Sequence, residues 1–117
     1  MWYTSLTTEL NSDRTVTAQV STDSKSPWYS GHFPGDPILP GVAQLHMVSS
    51  SIARALGQEL VLSSMGRIKF KKLLRPGDVL DIHAEPGKTD NHYSFQITSG
   101  QQQVCSGRLV LTPKKEE

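Results

Sequence analysis

Pro40-Gly41-Val42-Ala43-Gln44-Leu45-His46-Met47-Val48-Ser49-Ser50-Ser51-Ile52-Ala53-Arg54-Ala55-Leu56 is the one stretch of this chain whose apolar residues keep helical time. Val42, Leu45, Val48, Ile52, Ala55 and Leu56 follow one another at helical spacing and so share a face. Pro40 suits the first helical position, and Gly57 suits the residue just past the end. A helix from 40 to 56 is a rod of roughly 25 Å at 1.5 Å per residue. The run Ser49-Ser50-Ser51 is poor helix material. It is best tolerated where packing holds the helix and one face needs small side chains.

Outward from this rod, the period changes to two. Val16, Ala18 and Val20 alternate with Thr15, Thr17 and Gln19. Ile68 and Phe70 alternate with Arg67, Lys69 and Lys71. Leu80, Ile82 and Ala84, then Tyr93, Phe95 and Ile97, then Cys105, Gly107, Leu109 and Leu111 continue the pattern. Such alternation is what a sheet with one buried face requires. Pro76-Gly77-Asp78, Pro86-Gly87, Asp90-Asn91 and Ser99-Gly100 supply the turns. The expected fold class is α+β, with an antiparallel sheet of five or six strands curled around one helix. Trp2 to Leu10 is a candidate additional strand, and Pro113–Glu117 is expected to fray.

The chain has 117 residues, enough for one domain spanning 1–117. Hydrophobic residues make up only 36%, which suits a core completed by an oligomer interface. Twelve Lys and Arg against eleven Asp and Glu leave +1, which argues against coating nucleic acid or membranes by charge. One cysteine, Cys105, excludes an internal disulfide and any multi-cysteine metal site. No apolar run is long enough to span a bilayer, and residues 1–14 lack the pattern of a secretory signal. A cytoplasmic protein is expected.

Residues 31–41 read Gly-His-Phe-Pro-Gly-Asp-Pro-Ile-Leu-Pro-Gly, and six of these eleven are Gly or Pro. Prolines fix φ and glycines permit unusual turns, so this loop has few conformations and can hold His32 still. It leads straight into the helix. Leu39 falls at the cap position and has no side-chain acceptor. The amides near Gly41 and Val42 then carry the positive helix end without a local partner. They are placed to accept an oxygen that gains negative charge, unless Asp36 folds back as a cap or water fills the gap.

Gly31 to Val42 resembles the signature of the hotdog-fold 3-hydroxyacyl-acyl carrier protein dehydratases. Ile68-Lys69-Phe70-Lys71-Lys72-Leu73-Leu74-Arg75-Pro76-Gly77-Asp78 resembles a second strand-and-turn motif of that family. Both occur in the family's order, and the resemblance extends from about residue 12 to 112. The run from Pro40 to His46 is similar to a branch found in aryl-polyene and related lipid pathways.

The resemblance implies loss of water from a 3-hydroxyacyl thioester to give the trans-2-enoyl thioester. It makes His32 the base at C2 and the Gly41 amide the holder of the thioester carbonyl. Phe33, Ile38, Val42 and Ser50 fall in the substrate-binding segments. The family places a Glu or Asp fourteen residues after the histidine, and here that residue is His46. Where many members have Gln, this chain has Ser50. An imidazolium at His46 can donate a proton to the leaving hydroxyl. Two nearby imidazoles favour one neutral and one charged ring, which is a base-plus-acid state. The resemblance further implies a homodimer, with each site built from His32 of one chain and His46 of the other. Larger assemblies, or pairing with another hotdog subunit, follow the same logic. No metal or redox cofactor is required, because the thioester itself acidifies C2.

His83 and His92 fall on a polar strand phase or in a turn and read as surface residues. Cys105 reads as a small core residue. Trp28 and Tyr29 either line an acyl pocket or pack ordinarily. Arg67, Lys69, Lys71, Lys72 and Arg75 form a basic strip. It is either a solvated strand face or a docking site for an acidic acyl carrier protein or the phosphates of coenzyme A. Its one aromatic, Phe70, falls on the apolar phase of the strand, so no aromatic platform is interleaved with the cations, which disfavours nucleic acid. Two other functions compete: a hotdog thioesterase, for which Asp36 is the nearest loop carboxylate, and a non-catalytic hotdog subunit.

Overall fold

A computed structural model describes residues 3–22, 41–72 and 77–114. The elements in chain order are β1 (Tyr3–Leu10), β2 (Val16–Thr22), α1 (Gly41–Leu56), β3 (Leu60–Phe70), β4 (Val79–Pro86), β5 (His92–Ser99) and β6 (Gln102–Pro113). The strands form one six-stranded antiparallel sheet in the order β1-β2-β4-β5-β6-β3. This is the hotdog arrangement expected from the sequence.

The helix packs against β1, β2, β4 and β3. β1 and β3 are the two outermost strands. A flat sheet cannot bring both edges to one helix, so the sheet curls around it. The register aligns the inward side chains into rows across the strands. One row runs Ala18–Ile82–Ile97–Cys105, and the next runs Val16–Ala84–Phe95–Gly107. Ala43, Leu45, Met47, Val48 and Ile52 of α1 close the core from the helix side. Ala43 and Met47 are fully buried although they lie outside the face read from the sequence. A curled sheet covers a wider arc of the helix than a flat one would.

The helix ends as expected. Gly57 has φ +65°, its amide donates to Arg54 O at 3.2 Å, and the Gln58 amide donates to Ala53 O at 3.1 Å. These two bonds satisfy carbonyls that the last turn leaves open, and glycine accepts the left-handed conformation without penalty.

Three expectations need correction. The alternation predicts a buried Phe70, yet it is 52% exposed at the end of an edge strand. β3 begins at Leu60, well before the alternation at Ile68. Pro113 does not fray: it ends β6 paired with Leu60, and the Lys114 amide donates to Glu59 O at 3.0 Å. Residues 115–117 lie outside the described part.

Candidate active site

The helix begins at Gly41, and its first turn carries no acidic residue. The leading amides of an α-helix have no partner within the helix, and they carry its positive end. Gly41 and Val42 occupy this position. His46 follows one turn later on the face that the sheet does not cover, and it is exposed. Ser49, Ser50 and Ala53 continue the same stripe at helical spacing and are half-buried. Ser49 Oγ donates back to Leu45 O at 2.9 Å.

This stripe and β3 form the walls of a groove of about 810 Å³. His46, Ser50 and Ala53 line it from the helix, and Leu60, Leu62 and Met65 line it from the strand. A volume of this order accepts a small-molecule ligand. Among the described residues β3 has one sheet neighbour, β6, and no strand pairs with its other edge. Val61 and Met65 on that strand are 44% and 51% exposed. A histidine, small side chains and an apolar sheet edge therefore share one uncovered side of the molecule.

β3 is irregular. Its register with β6 slips between Leu62 and Ser64 and again between Gly66 and Lys69. Arg67, inside the second slip, has φ +54°. Bulges of this kind bend and twist a strand and are common beside functional sites.

His32, Phe33, Ile38 and Arg75 lie outside the described residues, as do Trp28, Tyr29 and Asp36. Gly41, His46 and Ser50 are brought to the same helix, with His46 and Ser50 on one groove. Lys69, Lys71 and Lys72 are exposed. Lys71 Nζ donates to Gln103 Oε1, and Gln103 Nε2 donates to Gln96 Oε1 at 3.2 Å, so Lys71 lies along the outer face of the sheet. Sequence reasoning missed Met65 and the β3 edge; the missing signal was the bulges, which break the period of two.

The remaining candidates are ordinary. His83 Nε2 lies 3.1 Å from Glu85 Oε1 on the outer face, and His92 is exposed. Cys105 is fully buried, and that burial pushes its thiol pKa up to about 11. It is no nucleophile near neutral pH. Among the described residues no group of His, Cys, Asp or Glu could hold a metal ion, and no helix is long and apolar enough to cross a membrane.

Comparison with known proteins agrees with this fold. Residues 8–108 match the ApeI-like family model, described as ApeI dehydratase. The 3-hydroxyacyl-[acyl-carrier-protein] dehydratase FabZ of Chlamydia trachomatis serovar D is 32% identical over 125 residues, covering 96% of this chain and 80% of that protein. The enzyme of the same name from Levilactobacillus brevis is 29% identical, covering 88% of this chain and 76% of its own length. Among solved structures, the dehydratase heterocomplex ApeI:P from Xenorhabdus doucetiae superposes with a TM-score of 0.82 at 27% identity, covering 95% of this chain and 98% of that one.

Proposed function

The chain belongs to the ApeI-like dehydratase family, and from that membership we propose that it removes water from a 3-hydroxyacyl thioester to give the trans-2-enoyl thioester. His32 takes a proton from C2. The Gly41 amide, at the positive end of the helix, accepts the enolate-like oxygen of the thioester. His46, as imidazolium, gives its proton to the C3 hydroxyl while the C3–O bond breaks. The products are the enoyl thioester and water, with His32 protonated and His46 neutral. Exchange of protons with solvent restores the starting state.

The observation that carries this reading is the position of His46. It stands in the groove beside Ser50 and Met65, on the side of the molecule that the sheet leaves open. A second hotdog chain pairing along β3 covers that side and closes the groove. Each site then takes His46 from one chain and His32 from the other. A copy of this chain is the simplest partner. The relative named as a heterocomplex, ApeI:P, makes a different hotdog chain the second possibility. The thioester's carrier is an acyl carrier protein or coenzyme A, and Lys69, Lys71, Lys72 and Arg75 supply the positive charge that draws it to the protein.

The test is an assay of the purified protein with a 3-hydroxyacyl thioester and, in reverse, a crotonyl-type enoyl thioester. Reversible interconversion without free thiol is expected, and His32→Ala abolishes it. Release of thiol makes the protein a thioesterase instead. No reaction in either direction, from a folded dimer, makes it a non-catalytic subunit.

A further inference from the structure

The outer face of the sheet carries a second depression, of about 460 Å³, where β3, β6 and β5 meet. Arg67, Lys69 and Arg108 line it together with Ser94 and Ser106. The register places these groups side by side: Lys69 opposite Ser106, and Arg108 opposite Ser94. Partners across an antiparallel ladder stand about 5 Å apart at Cα. The depression lies over the second register slip of β3, where Arg67 adopts its left-handed conformation. Arg108 lies outside the basic strip read from the sequence, because it comes from β6.

Charge on this face is divided. Among the described residues, neither Arg67 nor Lys69 nor Arg108 forms an ion pair. Along the register, the nearest carboxylate is Glu85, opposite Ser94 and so two strands from Arg108, or about 10 Å. Glu85 already faces His83. Three cations without counter-ions in one concavity repel one another, and a bound anion relieves that repulsion. Two arginines with planar donor forks, a lysine and two hydroxyls are the donor set that recognises phosphoryl oxygens.

We propose that this depression is a binding site for a phosphorylated small molecule bearing at least two negative charges. The site is separate from the reaction groove, because it opens on the face of the sheet opposite the helix. Pairing of chains along the β3 edge leaves that face open. The proposal does not depend on the dehydration reading.

The test is a titration of the intact protein with inorganic pyrophosphate at low salt, followed by backbone amide NMR shifts and calorimetry. Saturable shifts centred on Ser94, Ser106 and Gly107 are expected. Affinity should fall at least tenfold in Arg108→Ala and at least tenfold between 50 and 500 mM NaCl, roughly as screening of several charges requires. It should be unchanged in Lys88→Ala, a lysine between β4 and β5 outside this lining. AMP should compete and adenosine should not. Absence of saturable shifts, or equal affinity in Arg108→Ala, overturns the proposal. So does binding of a polyanionic protein at this face without binding of pyrophosphate, which would make the face a protein-docking surface.

Discussion

Ile68 of β3 lies across the bare Cα of Gly107 in β6. A Cβ built on Gly107 would overlap Ile68 Cδ1 and would come within 3.2 Å of both Ile68 Cα and Phe95 Cε1. Gly107 pairs with Phe95 in an inward row, so the space a side chain would take is already core. Gly107→Ala is therefore expected to destabilise the fold by about 1–3 kcal/mol, the usual range for overpacking. That corresponds to a fall in Tm of at least about 4 °C for a domain of this size. Thermal unfolding followed by circular dichroism measures it. An unchanged Tm would show that β3 can lift from β6 at no cost.

The two histidines make a prediction that reaches across chains. His32→Ala and His46→Ala each lose turnover when assayed alone. A mixed dimer of the two variants contains one site with both histidines and one with neither. Unfolding and refolding an equimolar mixture should therefore recover about a quarter of parental activity, from random pairing of a two-fold dimer. Recovery of nothing means both histidines serve from the same chain. Full activity in His46→Ala alone removes that ring from the chemistry.

Met65, 51% exposed on the edge strand β3, is where the proposed dimer is tested directly. A lysine on an edge strand discourages pairing with another strand. Met65→Lys is expected to halve the mass seen by sedimentation and to reduce turnover with it. A variant that stays dimeric would place the interface elsewhere.

Cys105 gives a dependence on pH. Burial holds its folded pKa at about 11, above the ordinary 9.0 of the unfolded chain. Below pH 9 both states keep the thiol protonated, and its burial costs nothing in ionisation. Between pH 9 and 11 the unfolded chain releases this proton first, so stability is lost as pH rises. Urea midpoints of the parent and Cys105→Ala should therefore move in Cys105→Ala's favour from pH 8 to pH 11. In the folded protein at pH 8 the thiol should resist a disulfide reagent until denaturant is added.

The helix and four strands were legible because their burial is periodic. Val16, Ala18 and Val20, like Leu80, Ile82 and Ala84, alternate cleanly since each belongs to an inner strand with one covered face. β3 hid its first half because two bulges shift its phase and its edge position leaves Val61 and Met65 in the open. Phe70 was misplaced for the same reason: the right phase on a strand with a neighbour on only one side still leaves the ring uncovered. Of the candidate site, Gly41 and His46 are offered by a resemblance and by helix-end chemistry, and both fall on α1, while His32 lies outside the described residues. The sequence could not set Met65 beside His46, or Arg108 beside Lys69, since both neighbourhoods arise from pairing between segments distant along the chain.

Among the described residues β3 has a single sheet neighbour, β6, and β6 comes after both β4 and β5 in chain order. During synthesis on the ribosome, β3 therefore emerges long before the strand it pairs with. For that interval it offers two bare edges and the apolar side chains of Val61, Met65 and Phe70. The two register slips bend and twist that waiting edge, which limits its pairing with unrelated strands until β6 arrives.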